Sequence, residues 1–177
     1  MVAADLAEIL RRLDGPAGDG RRGALEELAF SLAHVVGADV APLITSMEAT
    51  DIVSRIVGVV REEDNSKTIQ LALGALVNLA SVGGGQMVKR QGGFDLMLDM
   101  LRSPDQAIQY YAVAGVQNMA NALDCLQRIV DSDSDIILEG MLNHPNAEIR
   151  RFATGALTNI TTVVKKEQQA PAPAPAA

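Results

Sequence analysis

Apolar residues recur along this chain at helical intervals, and three stretches do so in the same way. Ala72, Ala75, Leu76 and Leu79 stand three and four positions apart and so fall on one side of a helix. Ala112, Gly115, Val116 and Met119 repeat the arrangement, as do Ala153, Ala156, Leu157 and Ile160. Small residues within each stripe let a neighbouring helix approach closely. All three stretches read Ala-x-small-small-Leu/Val-x-Asn and end at Asn78, Asn118 and Asn159. Successive Asn residues are 118 − 78 = 40 and 159 − 118 = 41 positions apart.

A shorter apolar stripe and a polar break precede each long helix. Phe94, Met97, Leu98 and Leu101 run up to Arg102-Ser103-Pro104, where Pro ends one helix and can open the next. Ile137, Met141 and Leu142 precede Asn143-His144-Pro145-Asn146, and Ile52, Ile56, Val59 and Val60 precede Glu63-Asp64-Asn65-Ser66. The unit is a short helix, a polar turn and a long helix, and a near-constant period of this length marks stacked repeats. Arg22 to Val36 also reads as a helix through Leu25, Leu28, Ala29 and Leu32. No Asn occupies its matching place, and His34 stands near it. Asp5 to Leu13 adds an amphipathic turn or two, so residues 1–37 are expected to cap the stack. Repeats are expected at 38–83, 84–123 and 124–166. Residues 167–177 are expected as a disordered Ala/Pro-rich tail, since alternating Pro favours extended polyproline II.

The stretch from Val88 to Asp105, with Gly92-Gly93 and Ser103-Pro104-Asp105, followed by Ala112 to Ala120, resembles an armadillo repeat. That repeat has a small helix ending in a Gly pair, a second helix ending near Ser-Pro-Asp, and a third with Ala and Leu before an Asn. Cys125 to Thr162 fits as well, although its run from Asn146 to Ala153 is equally similar to the related HEAT repeat. The resemblance is close from about Ser81 to Val164, fair from Ala38 to Ala80, and weak before that. It implies an all-α fold, a right-handed α-α superhelix of about four repeats with the first degenerate, and a concave side lined by the third helices.

It also implies a non-catalytic protein–protein interaction scaffold or adaptor holding a peptide or helix of a partner on that concave face. A constitutive structural subunit of a larger multiprotein assembly is the alternative. In armadillo proteins of the importin-alpha type, the Asn bonds to the ligand backbone and a Trp four residues earlier stacks on basic side chains. Here those earlier positions are Gly74, Ala114 and Gly155, so basic nuclear-localisation cargo is not expected. The expected partner-binding residues are Gln70, Asn78, Tyr110, Gln117, Asn118, Arg151, Thr158 and Asn159, with Tyr110 and Arg151 the richest anchors. A second reading of the amides, that they tie successive repeats together, stays open at this point.

Composition narrows the chemistry. Apolar residues make up 48% of the chain and aromatics 3%, with no Trp, which suits closely packed helices better than sheets. The formal net charge of −7 disfavours nucleic acid and anionic membranes, both of which need clustered Lys and Arg. A single cysteine, Cys125, forms no internal disulfide and points to a reducing compartment, cytoplasmic or nuclear. The start MVAADLAEILRRLDG lacks a secretory pattern, and no run of about 18 consecutive apolar residues occurs. Asp131-Ser-Asp-Ser-Asp135 opens like a calcium loop, but Ile136 and Leu142 stand where Gly and Glu are required. It reads better as a turn in which Asp or Ser caps a helix starting near Ile136. Gly83-Gly-Gly85 lacks the Lys-Ser/Thr of a phosphate loop and is expected to end the preceding helix. His34 and His144 lie in different repeats, so neither a metal set nor a cofactor site nor a catalytic group is expected.

Overall fold

The computed structural model describes residues 3–35 and 40–169, and these form helices and turns without a strand among the described residues. Two helices come first, α1 (Ala3–Leu13) and α2 (Asp19–His34). Three triplets follow: α3 (Val40–Glu48), α4 (Ile52–Glu62) and α5 (Ser66–Leu79), then α6 (Gly85–Arg90), α7 (Gly93–Met100) and α8 (Gln106–Met119), then α9 (Leu123–Asp131), α10 (Ser134–Met141) and α11 (Ala147–Gln169). The last helix runs three residues into the segment expected as tail. Glu167-Gln-Gln are good helix formers and the first Pro comes only at 171, so nothing stops the helix earlier. The Ala/Pro run from 170 lies outside the described residues.

Local chemistry sets the same boundaries in each triplet. Asn65 Oδ1 accepts from Thr68 N, Asp105 Oδ1 from Ala107 N, and Asn146 Oδ1 from Glu148 N, so each third helix opens on a side-chain cap. Pro104 and Pro145 therefore sit in the turn ahead of the cap and not inside the helix. The turn between first and second helices is left-handed in every triplet, at Asp51 (φ 49°), Gly92 (φ 82°) and Asp133 (φ 53°). These positions are 92 − 51 = 41 and 133 − 92 = 41 residues apart. The helix expected near Ile136 starts at Ser134, and no side chain caps it. Asp133 serves there as a tolerated left-handed residue instead.

Packing follows the series. α2 packs on α5, α5 on α8 and α8 on α11, while α1 packs on α4 and α4 on α7, giving a third-helix layer backed by a second-helix layer. Leu25, Leu73, Leu76, Phe94, Met97, Ala112, Val113 and Ala153 lie in one continuous buried core between the layers. On the first-helix side, neighbouring residues of α6 reach in opposite directions. Arg90 pairs back to Glu48 of α3, and Lys89 pairs forward to Asp124 of α9. Ser66–Arg90 is apolar enough by composition to cross a membrane, with a mean hydropathy of 1.4. It is not one straight helix: Ala80–Gly84 forms a π-type turn with Gly83 at φ 104°, and α5 is packed between α2 and α8.

Candidate functional site

The residues expected to bind a partner come from α5, α8 and α11, and the structure divides them. Asn78 donates through Nδ2 to the carbonyl of Ala29 on α2 at 3.0 Å, and Asn159 likewise to the carbonyl of Gln117 on α8 at 2.9 Å. Both amides tie a third helix to the one before it, so the tying role left open in the sequence holds at these two positions. Asn118 behaves differently. It is exposed and makes no hydrogen bond to any described residue, so both its donors and its acceptor remain available.

This bonding fixes the register of the first unit. Asn159 reaches the residue just before Asn118, and Asn78 reaches the residue just before Phe30. Phe30 therefore takes the place that Asn holds in the later units, with His34 one turn beyond it. The sequence reading missed this because the first interval is 78 − 30 = 48 residues and not 40 or 41. Phe30 is 67% exposed, and the His34 ring lies over it at 4.2 Å while Nδ1 donates to the Phe30 carbonyl. An aromatic ring left this open at the end of an amide row is an anchor that periodicity could not reveal.

Just over two turns back along the same helices, eight residues before each Asn, Gln70, Tyr110 and Arg151 occupy equivalent places. Gln70 donates to Ser66 Oγ at 2.9 Å. Tyr110 sits edge-on between Tyr111 and Phe152, with centroids 5.1 and 5.4 Å away. Arg151 lies 4.2 Å over the Phe152 ring and pairs with Glu148 at 2.6 Å. The absent Trp positions are not empty either. The Tyr111 ring covers Gly74, where an added Cβ would meet it at 3.4 Å, and the Gln117 amide covers Gly155 so closely that a Cβ would stand 2.5 Å from Nε2. Gln117 is thus wedged between α8 and α11 with Oε1 buried and unpaired, and it is not a free contact. Thr158 falls outside the row as well: it lines a hollow on the outer side of α11 with Leu142 and Thr161.

The electrostatics are uneven. The four third helices carry seven basic and five acidic side chains, a net +2, against −7 for the whole chain. Of the residues placed on the face only Arg151 is charged, and it is paired with Glu148, so the face itself is close to neutral on an acidic protein. Cys125 is buried, and burial together with the Asp124 carboxylate pushes its thiol up to about 11, which leaves it protonated and unreactive near neutral pH. Among the described residues no cluster of His, Cys, Asp or Glu is grouped to hold a metal ion.

No protein-family model matches the sequence, and neither does any curated protein. Solved structures do. An engineered protein superposes with a TM-score of 0.77 at 23% identity, over 88% of this chain and 62% of its own. A designed armadillo repeat protein in complex with a (KR)4 peptide gives 0.76 at 19% identity, over 88% and 64%. Computationally designed armadillo repeat proteins for modular peptide recognition give 0.63 at 16% identity, over 93% and 89%. The chain thus spans under two thirds of the first two. At such identities the likeness speaks for the fold, and with the repeated caps, turns and amide ties already described, it makes this chain an all-α solenoid of the armadillo type.

Proposed function

We propose that this protein is a non-catalytic scaffold that holds an extended segment or a helix of another protein along its third-helix face. The observation that carries the reading is the exposed row running from Phe30 to Asn118, flanked by Tyr110. An open aromatic and an amide with all its valences free stand on the side that the armadillo resemblance makes concave. Phe30 supplies apolar area, and Asn118 can satisfy a peptide unit from one side chain. Each hydrogen bond contributes only about 0.5–1.5 kcal/mol, so the aromatic contacts have to supply most of the affinity. The designed relatives for modular peptide recognition support a peptide or protein ligand. The face carries neither a Trp row nor an unpaired carboxylate among its named residues, which favours a neutral segment over a basic one. Gln70 and Arg151 stand at the ends of the neighbouring row and would set its direction. Asn78 and Asn159 contribute their remaining acceptor oxygens. The single buried cysteine fits work in the cytoplasm or nucleus.

The test begins with capture of the partner on the immobilised full chain, followed by titration of its segments by fluorescence anisotropy. Asn118→Ala and Phe30→Ser should each weaken binding several-fold without moving the melting temperature, while Tyr110→Ala should weaken binding and also lower the melting temperature, because its ring packs on Tyr111 and Phe152. If all three variants bind the captured segment as well as the parent does, the third-helix face is not the site.

A further inference from the structure

One polar side chain between the third helices is held by packing alone. Gln117 leans from α8 onto α11, and its amide lies so close over Gly155 that a Cβ there would stand 2.5 Å from Nε2 and 2.6 Å from Cδ. Oε1 is buried without a partner, and neither end of the amide bonds to any described residue. Burying a carboxamide in this way removes its hydration and returns no hydrogen bond. The seat is therefore poorly matched to the group that fills it. The main chain at the same residue is fixed, because Asn159 donates to the Gln117 carbonyl at 2.9 Å. Only the side chain is free to leave.

The repeat shows what such a seat suits. The residue equivalent to Gln117 on α5 is Val77, 117 − 77 = 40 positions earlier, and its aliphatic side chain packs against the core. The residue equivalent to Gly155 on α8 is Ala114, which is 5% exposed. Gly74, the third member of that row, is covered by the Tyr111 ring at an ordinary 3.4 Å. A polar group lies over the row at Gly155 alone among these contacts. With no Cβ on Gly155 the floor is deep, and the Gln side chain it now holds is close in volume to Leu or Met. Gly155 is half-buried and Asn118, next to Gln117 in the chain, is exposed. The seat thus opens on the third-helix face.

We propose that Gln117 is a displaceable plug, and that the seat over Gly155 takes an aliphatic side chain, Leu or Met, from the segment bound along the third-helix face. This rests on the partner-binding reading above and names the side chain that the face selects. When the aliphatic group enters, the Gln117 amide turns out to water and both its ends regain hydration, while the apolar surface of the seat stays covered. Both changes favour the exchange. A Lys or Glu in the seat would bury a charge without a partner, and another amide would only repeat the present mismatch. Asn118 stands beside the entrance with its donors and acceptor free, so it can bond the backbone of the segment as the side chain goes in. In the unbound chain the plug keeps an apolar recess from standing open to water.

Two measurements test the seat. The first needs no partner: Gln117→Leu puts an aliphatic group into it from within the chain, and the melting temperature of the full chain should rise by several degrees. A melting temperature left unchanged or lowered overturns the proposal. The second titrates the isotope-labelled full chain with acetyl-Ala-Ala-X-Ala-Ala-amide peptides in which X is Leu, Gln or Lys, followed by nuclear magnetic resonance at Gln117 and Asn118. The Leu peptide should bind about fivefold tighter than the other two. It should also move the Gln117 side-chain amide signals toward those of a solvated glutamine. Gln117→Leu, whose seat is already filled, should lose the preference. Equal affinity for all three peptides, with shifts at Asn118, overturns the seat and leaves the face as the binding site. A Leu preference that persists in Gln117→Leu places the aliphatic contact elsewhere and overturns it too. Absence of shifts at both residues with every peptide, at the highest concentration reached, overturns the seat and the face together.

Discussion

The side-chain amide of Asn159 donates to the main-chain carbonyl of Gln117 across 2.9 Å, joining α11 to α8 at a point where α8 would otherwise leave a carbonyl unpaired by any side chain. Asn78 makes the same link to Ala29. These contacts and the exposure of Asn118 split three look-alike residues into two structural ties and one free amide. Asn159→Ala and Asn78→Ala should each lower stability by about 1–2 kcal/mol, since each removes a half-buried hydrogen bond. Asn118→Ala should change stability by less than about 0.5 kcal/mol, as surface substitutions do. Urea denaturation of the three variants separates them, and equal losses at all three would mean that Asn118 is a tie too.

Asp51 and Asp133 occupy backbone geometry that the middle unit gives to Gly92, with φ of 49°, 53° and 82° respectively. A Cβ in this region costs about 1 kcal/mol, which Asp partly tolerates and glycine avoids. Asp133 makes no capping bond that would compensate. Asp133→Gly should therefore raise stability by about 0.5–1 kcal/mol, net of glycine's greater freedom in the unfolded chain. Thermal melting would show a small upward shift. A clear fall would mean that the Asp133 carboxylate does something in the folded state that its contacts do not disclose.

Much of this architecture could be read from the residues. The 40-residue spacing, the small residues in the stripes and the polar breaks each follow from how a helix buries one side, so they located the third helices well. What escaped was whatever depends on register between units. Phe30 was invisible because the first interval is eight residues longer, and only the bond from Asn78 to Ala29 shows which residue of α2 lines up with the amides. The wedging of Gln117 over Gly155 and the separation of Thr158 onto the outer face have the same cause. Periodicity tells which side of a helix is apolar, but not which of two neighbouring helices a polar residue beside the stripe will meet.

Acid should loosen the solenoid at an identifiable place. The Ser66 hydroxyl donates to Asp105, and the amides of Ala107 and Ile108 add to it, so the Asp105 carboxyl is held below its ordinary value in the folded protein. Asp124 is lowered in the same way by Lys89. A group depressed on folding stabilises the native state above its unfolded pKa, and that stabilisation is lost as pH falls through the folded value. For these carboxylates the loss begins below about pH 4. The melting temperature should accordingly drop from pH 4 downward. Asp105→Asn keeps a capping oxygen but cannot titrate, so its acid limb should be shallower than the parent's; an identical limb would assign the acid sensitivity elsewhere.

Three glycines on the third helices should respond differently to the same added methyl group. In an open helix Gly→Ala gains about 1 kcal/mol. At Gly74 the new Cβ would lie 3.4 Å from the Tyr111 ring, an ordinary contact, so Gly74→Ala should realise most of that gain. At Gly115 it would stand 2.4 Å from the sulfur of Met97, a side chain that is fully buried and has nowhere to go. Overpacking a closed core costs about 1–3 kcal/mol, so Gly115→Ala should be destabilising overall. Gly155 lies between these cases. Its neighbour is the end of the Gln117 side chain, 2.5 Å away, whose Oε1 is already without a partner. Swinging that amide out to water relieves the clash and hydrates the oxygen, so Gly155→Ala should be neutral or slightly stabilising. The order of melting temperatures should be Gly74→Ala highest, Gly155→Ala next and Gly115→Ala lowest. A Gly155→Ala variant as unstable as Gly115→Ala would show that Gln117 cannot leave its place, and that the α8–α11 contact depends on it.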